Sequence, residues 1–399
     1  MNILICNVGS TSLKYKLFEI ESARFDYPAS EKVLSFGKAE RIFSDRSVFT
    51  HRNNAPLCCA FPTHKEAIAM MIKNIGDDGI DFRNDISCVG FKVVHAKGVT
   101  GVQYLTEDVL KKMADFNTVA PAHNPPYIAA IKQFRELLPG IPLIGSFETG
   151  FHSGMPEEAF LYSVPISYYK EHAIRRYGFH GASHEYMTGY VLNNDPDHSR
   201  RIITCHLGGS SSITAVRNGR SVDTSLGLSL QCGIMHNNRI GDIDPYILFY
   251  MMDDLGLSTK EIREILEKKS GFYGMSGVSG DLRDVEKAAD SGNDDALNAI
   301  RSYAYSIKKY IGQYAAVLNG VDAICFAGGI GENSPLIREM SLNGLDYLGV
   351  KLDHDKNILS SPNSVISSDD SKVMIHLIRT DEEIVVARKA YMLLSENMQ

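Results

Sequence analysis

Two stretches about two hundred residues apart are built alike, and they constrain the fold more than anything else in the chain. Ile3 to Cys6 is a short apolar run that reads as a buried strand. A polar tip follows, Asn7-Val8-Gly9-Ser10-Thr11-Ser12, and alternation resumes at Leu13, Tyr15 and Leu17 as a second strand. A tip of glycine, hydroxyls and one amide packs poorly, but it can offer backbone N–H groups to an anion. Lys14 and Lys16 add positive charge beside it. Arg201 to Val216 repeats the design, with strand, the tip Gly208-Gly209-Ser210-Ser211, and strand. One glycine-rich turn is an ordinary hairpin. Two of them, half a chain apart, predict a duplicated domain with a ligand between the halves.

At 399 residues the chain is long enough for two domains with proper cores. Its net charge of −7 argues against nucleic acid or an anionic membrane as the main partner, so an anion site must be a local pocket. The seven cysteines are odd in number and include no Cys-x-x-Cys pair, which disfavours structural zinc and a disulfide framework. The start of the chain has no basic region followed by a long apolar stretch, and nothing approaches a membrane span. The expected setting is a reducing cytoplasm.

Residues 1–60 read as β-rich, with a further strand at Val48–Thr50. His64 to Ile75 carries apolar residues at helical spacing, Val89 to His95 is a strand with a polar end, and Thr106 to Phe116 is a helix. The prolines of Ala120 to Pro126 break that helix, and a second one is expected from Tyr127 to Leu138. Ile141 to Phe147 is a buried strand whose carboxyl end presents Glu148, where ligands collect in open α/β sheets. A domain boundary is placed here: 1–149, completed by a C-terminal helix over about 384–399, and 150–383. Ser183 is the expected cap of a helix reaching Leu192, and Ser258 with Glu261 forms a capping box for another. Gly271 to Arg283 reads as a long glycine-punctuated loop, Ala296 to Leu318 as a strong helix. Strands are expected at Ala323–Phe326 and Val373–Ile378, the first meeting the turn Gly328-Gly329-Ile330-Gly331-Glu332-Asn333.

That turn lacks the third glycine of the dinucleotide fingerprint, because Ser334 stands there, but a strand–turn–helix still suits a nucleotide phosphate. His180 and His184 lie four apart, yet Gly181 directly follows His180 and a zinc pair is disfavoured. Taken alone, Glu382 and Glu383 are a solvated turn, and Arg239 among aspartates is a surface ion pair of little worth.

Taken together these parts resemble one family, acetate kinase and its short-chain acyl kinase relatives. The resemblance begins at Asn7–Lys14 and continues through Val93-Val94-His95, His123-Asn124-Pro125-Pro126, Arg176–Gly181 and His206-Leu207-Gly208. It runs on through Ser221–Ser225, Arg239–Pro245, Ser276–Ser279, Gly329–Ser334 and Thr380–Glu383, and so spans nearly the whole chain. It implies an α/β fold of two ribonuclease-H-like domains of the ASKHA type, which joins sugar kinases and actin, with the active site in the interdomain cleft. It further implies a homodimer, ATP or ADP with Mg²⁺, and reversible phosphoryl transfer to a small carboxylate. In such an enzyme Arg239, His180 and His123 would hold and neutralise the moving phosphoryl group, with Glu148 beside it. Asn7 and Glu382 would position Mg²⁺. Ser10, Ser12 and Lys14 would line the phosphate side, with His206, Gly208, Gly209 and Ser210 as the second phosphate loop. Asp281, Leu282 and Arg283, with Gly329, Ile330, Gly331 and Asn333, would hold the nucleoside. Lys92 and the pocket walls Val94, Ala122, Phe179 and Leu230 would take the acyl group.

The chain also departs from that family's pattern. Glu148 replaces an aspartate, which moves a carboxylate by roughly 1.5 Å, a displacement that can change rate about a hundredfold. Lys92 replaces an arginine, keeping the charge but losing the two-pronged grip. Ala122 replaces a common leucine and leaves more room, so propionate or butyrate joins acetate, the default substrate. A nucleotide-binding relative with weak or lost catalysis, serving as sensor or structural subunit, is the alternative from another class.

Overall fold

A computed structural model describes residues 1–22 and 25–396 of the chain. Two compact units divide it: Met1–Ser153 with the segment from Asp381 onward, and Gly154–Thr380. The last residues of the expected C-terminal helix, 397–399, lie outside the described residues.

The first unit carries β1 (Asn2–Val8), β2 (Ser12–Glu19), β3 (Lys32–Glu40), β4 (Ser44–His51), β5 (Leu57–Phe61), β6 (Ile86–Val93), β7 (Val102–Tyr104) and β8 (Leu143–Phe147). They form one eight-stranded sheet in the order β5-β4-β3-β2-β1-β6-β8-β7. The β1–β2 hairpin is antiparallel, pairing Asn7 with Lys14, while β1, β6 and β8 run parallel. Strand β1 reads as a continuous apolar run because both its faces are covered. Ile3, Leu4 and Cys6 have no exposed surface, and helices Asn124–Leu137 and Glu382–Glu396 both pack on this strand.

The second unit carries β9 (Arg201–His206), β10 (Ser212–Arg217), β11 (Arg220–Thr224), β12 (Ala323–Ala327), β13 (Ser364–Val365) and β14 (Met374–Leu377), in the order β11-β10-β9-β12-β14-β13. Again a hairpin meander sits beside strands that run parallel, here β9, β12 and β14. The arrangement β3-β2-β1-β6-β8 of the first sheet thus recurs as β11-β10-β9-β12-β14, the duplication that the two glycine hairpins predict. Helix Asp294–Leu318 lays Ala299, Tyr303, Ile307, Ile311 and Tyr314 against this sheet at helical spacing. Each such large side chain contributes roughly 1.5–3 kcal/mol on burial. No helix among the described residues is long and apolar enough to cross a membrane.

Three local expectations need correction. The helix expected from Tyr127 starts at Asn124 and takes Pro125 and Pro126 into its first turn, where no N–H is needed. The stretch Gly271 to Arg283 is not one loop: Gly271–Ser276 is helical, and Asp281 caps helix Leu282–Asp290. Ser183 does not cap its helix, which begins earlier, at Gly181, after His180. By contrast Ser258 and Glu261 form the expected capping box at helix Thr259–Lys268.

Candidate active site

In the first unit the polar residues gather at the carboxyl ends of β1, β6 and β8, the strands that end at Val8, Val93 and Phe147. The Lys92 ammonium lies 3.0 Å from Glu148 Oε1 and 2.5 Å from Glu382 Oε2. Burial opposes its charge, but the two carboxylates outweigh that and raise its pKa well above the usual value. Glu148 is buried, whereas Glu382 comes from the first turn of the C-terminal helix, to which Asp381 Oδ1 also accepts from the Ile384 N–H. The neighbouring Glu383 turns to Lys16 at 2.8 Å, so the two glutamates face different cations. The acidic run is therefore a helix start tied into ion pairs rather than a solvated turn.

Asn7 ends in the same region. Tyr127 donates its hydroxyl to Asn7 Oδ1 at 2.9 Å and accepts from the Val8 N–H, and burial pushes its own pKa up to about 12. The tip of this hairpin exposes Ser10 and Lys14. Its carbonyl at Gly9 pairs with Nε2 of the buried His64, 3.0 Å away. His123 is half-buried just ahead of helix Asn124–Leu137, beside the exposed Ala122, while Val94 is buried.

Among the described residues no cluster of three or more His, Cys, Asp or Glu could hold a metal ion. What the first unit does offer is oxygen: the Asn7 amide, with one lone pair beyond the Tyr127 bond, and the carboxylates of Glu148 and Glu382. Such a set suits a hard divalent cation that keeps several waters and needs few protein ligands.

In the second unit a cavity of about 760 Å³ opens beside the second glycine tip. One wall is Gly208, Gly209 and Asn237; a second is Gly280, Asp281, Leu282 and Arg283 with Glu286; a third is Gly329, Ile330, Asn333 and Ser334. Leu207 joins two of these walls. Its N–H bonds Ala327 O, and its carbonyl accepts from the N–H groups of Ile330 and Gly331 at 2.9 and 3.1 Å. Gly328 makes that turn possible at φ +81°, because a Cβ there would sit 2.6 Å from the Leu207 carbonyl. Asp281 accepts from Arg283 twice by side chain and once by backbone, and those bonds hold its carboxyl down at about 2. Gly331 is buried behind the third wall, and His206 and Ser210 flank the first without lining it. Asn237, Gly280, Glu286 and Ser334 line the cavity in addition to the expected residues; Gly280 and Ser334 adjoin expected positions in the chain, whereas no sequence signal points to Asn237 or Glu286.

His180, His184 and His206 form one cluster of hydrogen bonds and ring contacts. His180 Nδ1 is 2.8 Å from Ser212 Oγ, and its ring lies over that of His206 at 4.3 Å. His184 engages Thr204 with one ring nitrogen and Ser212 with the other, both at 2.7 Å, so both of its nitrogens are occupied by hydroxyls. Ser183 spends its hydroxyl on His206 Nδ1 at 2.7 Å rather than on a helix cap. His180 itself takes a left-handed backbone, φ 56°, at the entry to its helix, a conformation that costs a non-glycine residue about 1–3 kcal/mol.

Arg239 differs from Lys92, Lys16 and Arg283, each of which is paired with a carboxylate. Its Nη1 donates to the Leu230 carbonyl at 3.1 Å, and among the described residues no carboxylate forms an ion pair with it. Burial pulls its pKa down to about 10, with the Glu267 charge pushing back. Such a guanidinium is a ready receiver for an anion. Phe179 and Leu230 are both buried in the same unit.

Comparison with known proteins agrees with the resemblance. Residues 2–388 match the model of the Acetokinase family. An acetate kinase of Caldanaerobacter subterraneus subsp. tengcongensis is 42% identical, over 97% of this chain and 98% of that protein. Among solved structures, Porphyromonas gingivalis acetate kinase superposes with a TM-score of 0.87 at 36% identity, covering 98% of this chain and 99% of its own. A propionate kinase from Francisella tularensis gives 0.87 at 32% identity, over 97% and 98%.

Proposed function

Because the chain belongs to the acetokinase family and is a phosphotransferase with a carboxyl acceptor, we propose that it moves the γ-phosphoryl group of ATP reversibly onto a short-chain carboxylate, acetate first. The observation that carries this reading is Arg239, a half-buried guanidinium with one backbone partner and a pKa lowered by burial to about 10. Leaving it so is unfavourable unless an anion completes it.

In direct in-line transfer the moving group is nearly planar, with charge on its equatorial oxygens, and catalysis is mostly positioning and neutralisation. In this reading Arg239, His180 and His123 hold and neutralise that group. The acceptor carboxylate is already ionised near neutral pH, so no general base is needed. The cavity of the second unit seats the nucleotide, its phosphates toward Gly208 and Gly209. Ser10, Ser12 and Lys14 of the first tip add hydroxyls and charge. A divalent ion, Mg²⁺ in this reading, would be held by Asn7 and Glu382 through water and would offset phosphate charge. Lys92 sets the Glu148 and Glu382 carboxylates in place. The small, exposed Ala122 favours acceptors somewhat larger than acetate as second substrates.

A further part of the proposal is a homodimer. Helix Tyr246–Asp253 buries none of its residues, and Tyr246, Phe249 and Tyr250 are 76%, 51% and 56% exposed. A second copy of the chain is the partner that would cover such an apolar face. Sedimentation of the purified protein should give twice the chain mass, and a monomer would remove this part.

The activity test is hydroxamate trapping of acyl phosphate with ATP, Mg²⁺ and carboxylates from formate to valerate. Acetate should lead, with propionate next. If nucleotide binds and no carboxylate yields product, the catalytic reading fails. The closed Lys92 ion cluster would then favour a nucleotide-binding sensor.

A further inference from the structure

His236 lies outside every role assigned above, yet it has no exposed surface and stands behind the wall of the nucleotide cavity. Its Nδ1 accepts the Ser211 N–H at 2.9 Å. Only a deprotonated ring nitrogen can accept, so the ring is neutral, or becomes so to make this bond, and its proton sits on Nε2. That Nε2 is buried and makes no well-formed hydrogen bond among the described residues, the Cys232 backbone giving the ring only a weak one. A hydrocarbon side chain would fill the space without leaving a donor unmade. What a hydrocarbon could not do is hold the Ser211 amide.

Ser211 closes the glycine tip. Its hydroxyl donates to Gly208 O at 3.0 Å while accepting from the Gly208 N–H and from Tyr303. The residue after His236 repeats the grip, since the Asn237 N–H bonds Gly209 O at 3.0 Å. The same short turn carries the guanidinium, because the His236 N–H bonds Arg239 O at 3.1 Å. From the other side, Ser270, Phe272 and Tyr273 donate their N–H groups to the carbonyls of Asn238, His236 and Asn237. Gly271 permits this close seam: at φ +63° it approaches the carbonyls of His236, Asn237 and Arg239 so nearly that any Cβ would collide with them.

We infer that His236 is a positioning residue for phosphoryl transfer: its Nδ1 fixes the Gly208–Ser211 loop to the turn that carries Arg239. Nucleotide seat and phosphoryl-binding cation are thereby set by one rigid piece of backbone. The inference rests on reading the cavity as the nucleotide seat.

The test compares three variants of the full-length protein. Asparagine places an acceptor near the position of Nδ1, glutamine near that of Nε2, and leucine places none. His236→Leu should raise the ATP KM about tenfold, the effect of one lost buried acceptor. It should lower kcat by a similar factor and leave the carboxylate KM, at saturating ATP, within twofold. His236→Asn should recover most of that loss and His236→Gln should not. Calorimetric ADP binding must follow the same order, which keeps the test independent of acceptor chemistry. Should His236→Leu not fold, the asparagine–glutamine pair alone decides. Equal behaviour of asparagine and glutamine, or an unchanged ATP KM and ADP affinity in His236→Gln, overturns the inference. If the parent binds ADP but phosphorylates no carboxylate, the functional reading fails while the ADP series still judges His236.

Discussion

The two glycine tips share a strand–turn–strand design but are held in opposite ways. The first has His64 Nε2 at the Gly9 carbonyl, one turn bond from the Gly9 N–H to Ser12 O, and a bond from the Ile42 N–H to Thr11 O. The second is bound through the Ser211 hydroxyl, Tyr303, His236 and Asn237. Their cations differ in the reverse sense. Lys92 of the first unit is closed by two carboxylates, while Arg239 of the second keeps only a carbonyl. A tip with few ties can adjust to a phosphate, whereas a preset tip with an uncompensated cation can wait for one. In the proposed reading, positioning lies in the second unit and adjustment in the first.

The largest effect should come from Arg239→Ala, which removes the uncompensated cation. Transfer should fall about a thousandfold or more with ATP affinity within threefold, read by hydroxamate assay and calorimetry; an unchanged rate would erase the contrast between the cations. Next comes Lys92→Ala, which leaves Glu148 and Glu382 facing one another. Activity should drop about a hundredfold, and Lys92→Arg should restore a large part of it. Equal losses in both would mean that charge is not what Lys92 supplies. A smaller change is expected from His64→Leu, about threefold in ATP KM, less than for His236→Leu; the reverse order would invert the comparison of the tips.

The last prediction concerns pH. Burial lowers the pKa of both His64 and His236, the latter well below its usual value with Arg239 adding to the effect. Each then binds its proton in the unfolded chain and not in the folded one. Their contribution is therefore intact above about pH 6.5 and is lost as pH falls below it. The urea midpoint should drop between pH 7 and pH 5.5, and in His236→Asn it should drop less.

Much of this was legible in the sequence because it depends on local rules. Both hairpins, the Ser258–Glu261 capping box and the helix at Asp294–Leu318 follow from alternation, capping chemistry and helical spacing. Helix Gly271–Ser276 was not legible, since its glycines read as punctuation and only the seam against His236–Arg239 makes Gly271 obligatory. Ser183 has the right type and place for a cap, and a tertiary partner, His206, takes its hydroxyl. His64, Tyr127 and His236 stayed hidden for the same reason. Their roles lie in bonds to residues 25 or more positions away, and no local pattern announces such a bond.

The Lys92–Glu382 pair joins positions 290 apart, so the first unit cannot be completed until nearly the whole chain has left the ribosome. The second unit is continuous, Gly154 to Thr380, and has all its strands in hand before that closing helix emerges. Synthesis order and folding order are thus inverted. The unit translated first waits for helix Glu382–Glu396, and a nascent chain halted short of Asp381 would hold a complete second unit and a first unit lacking that helix.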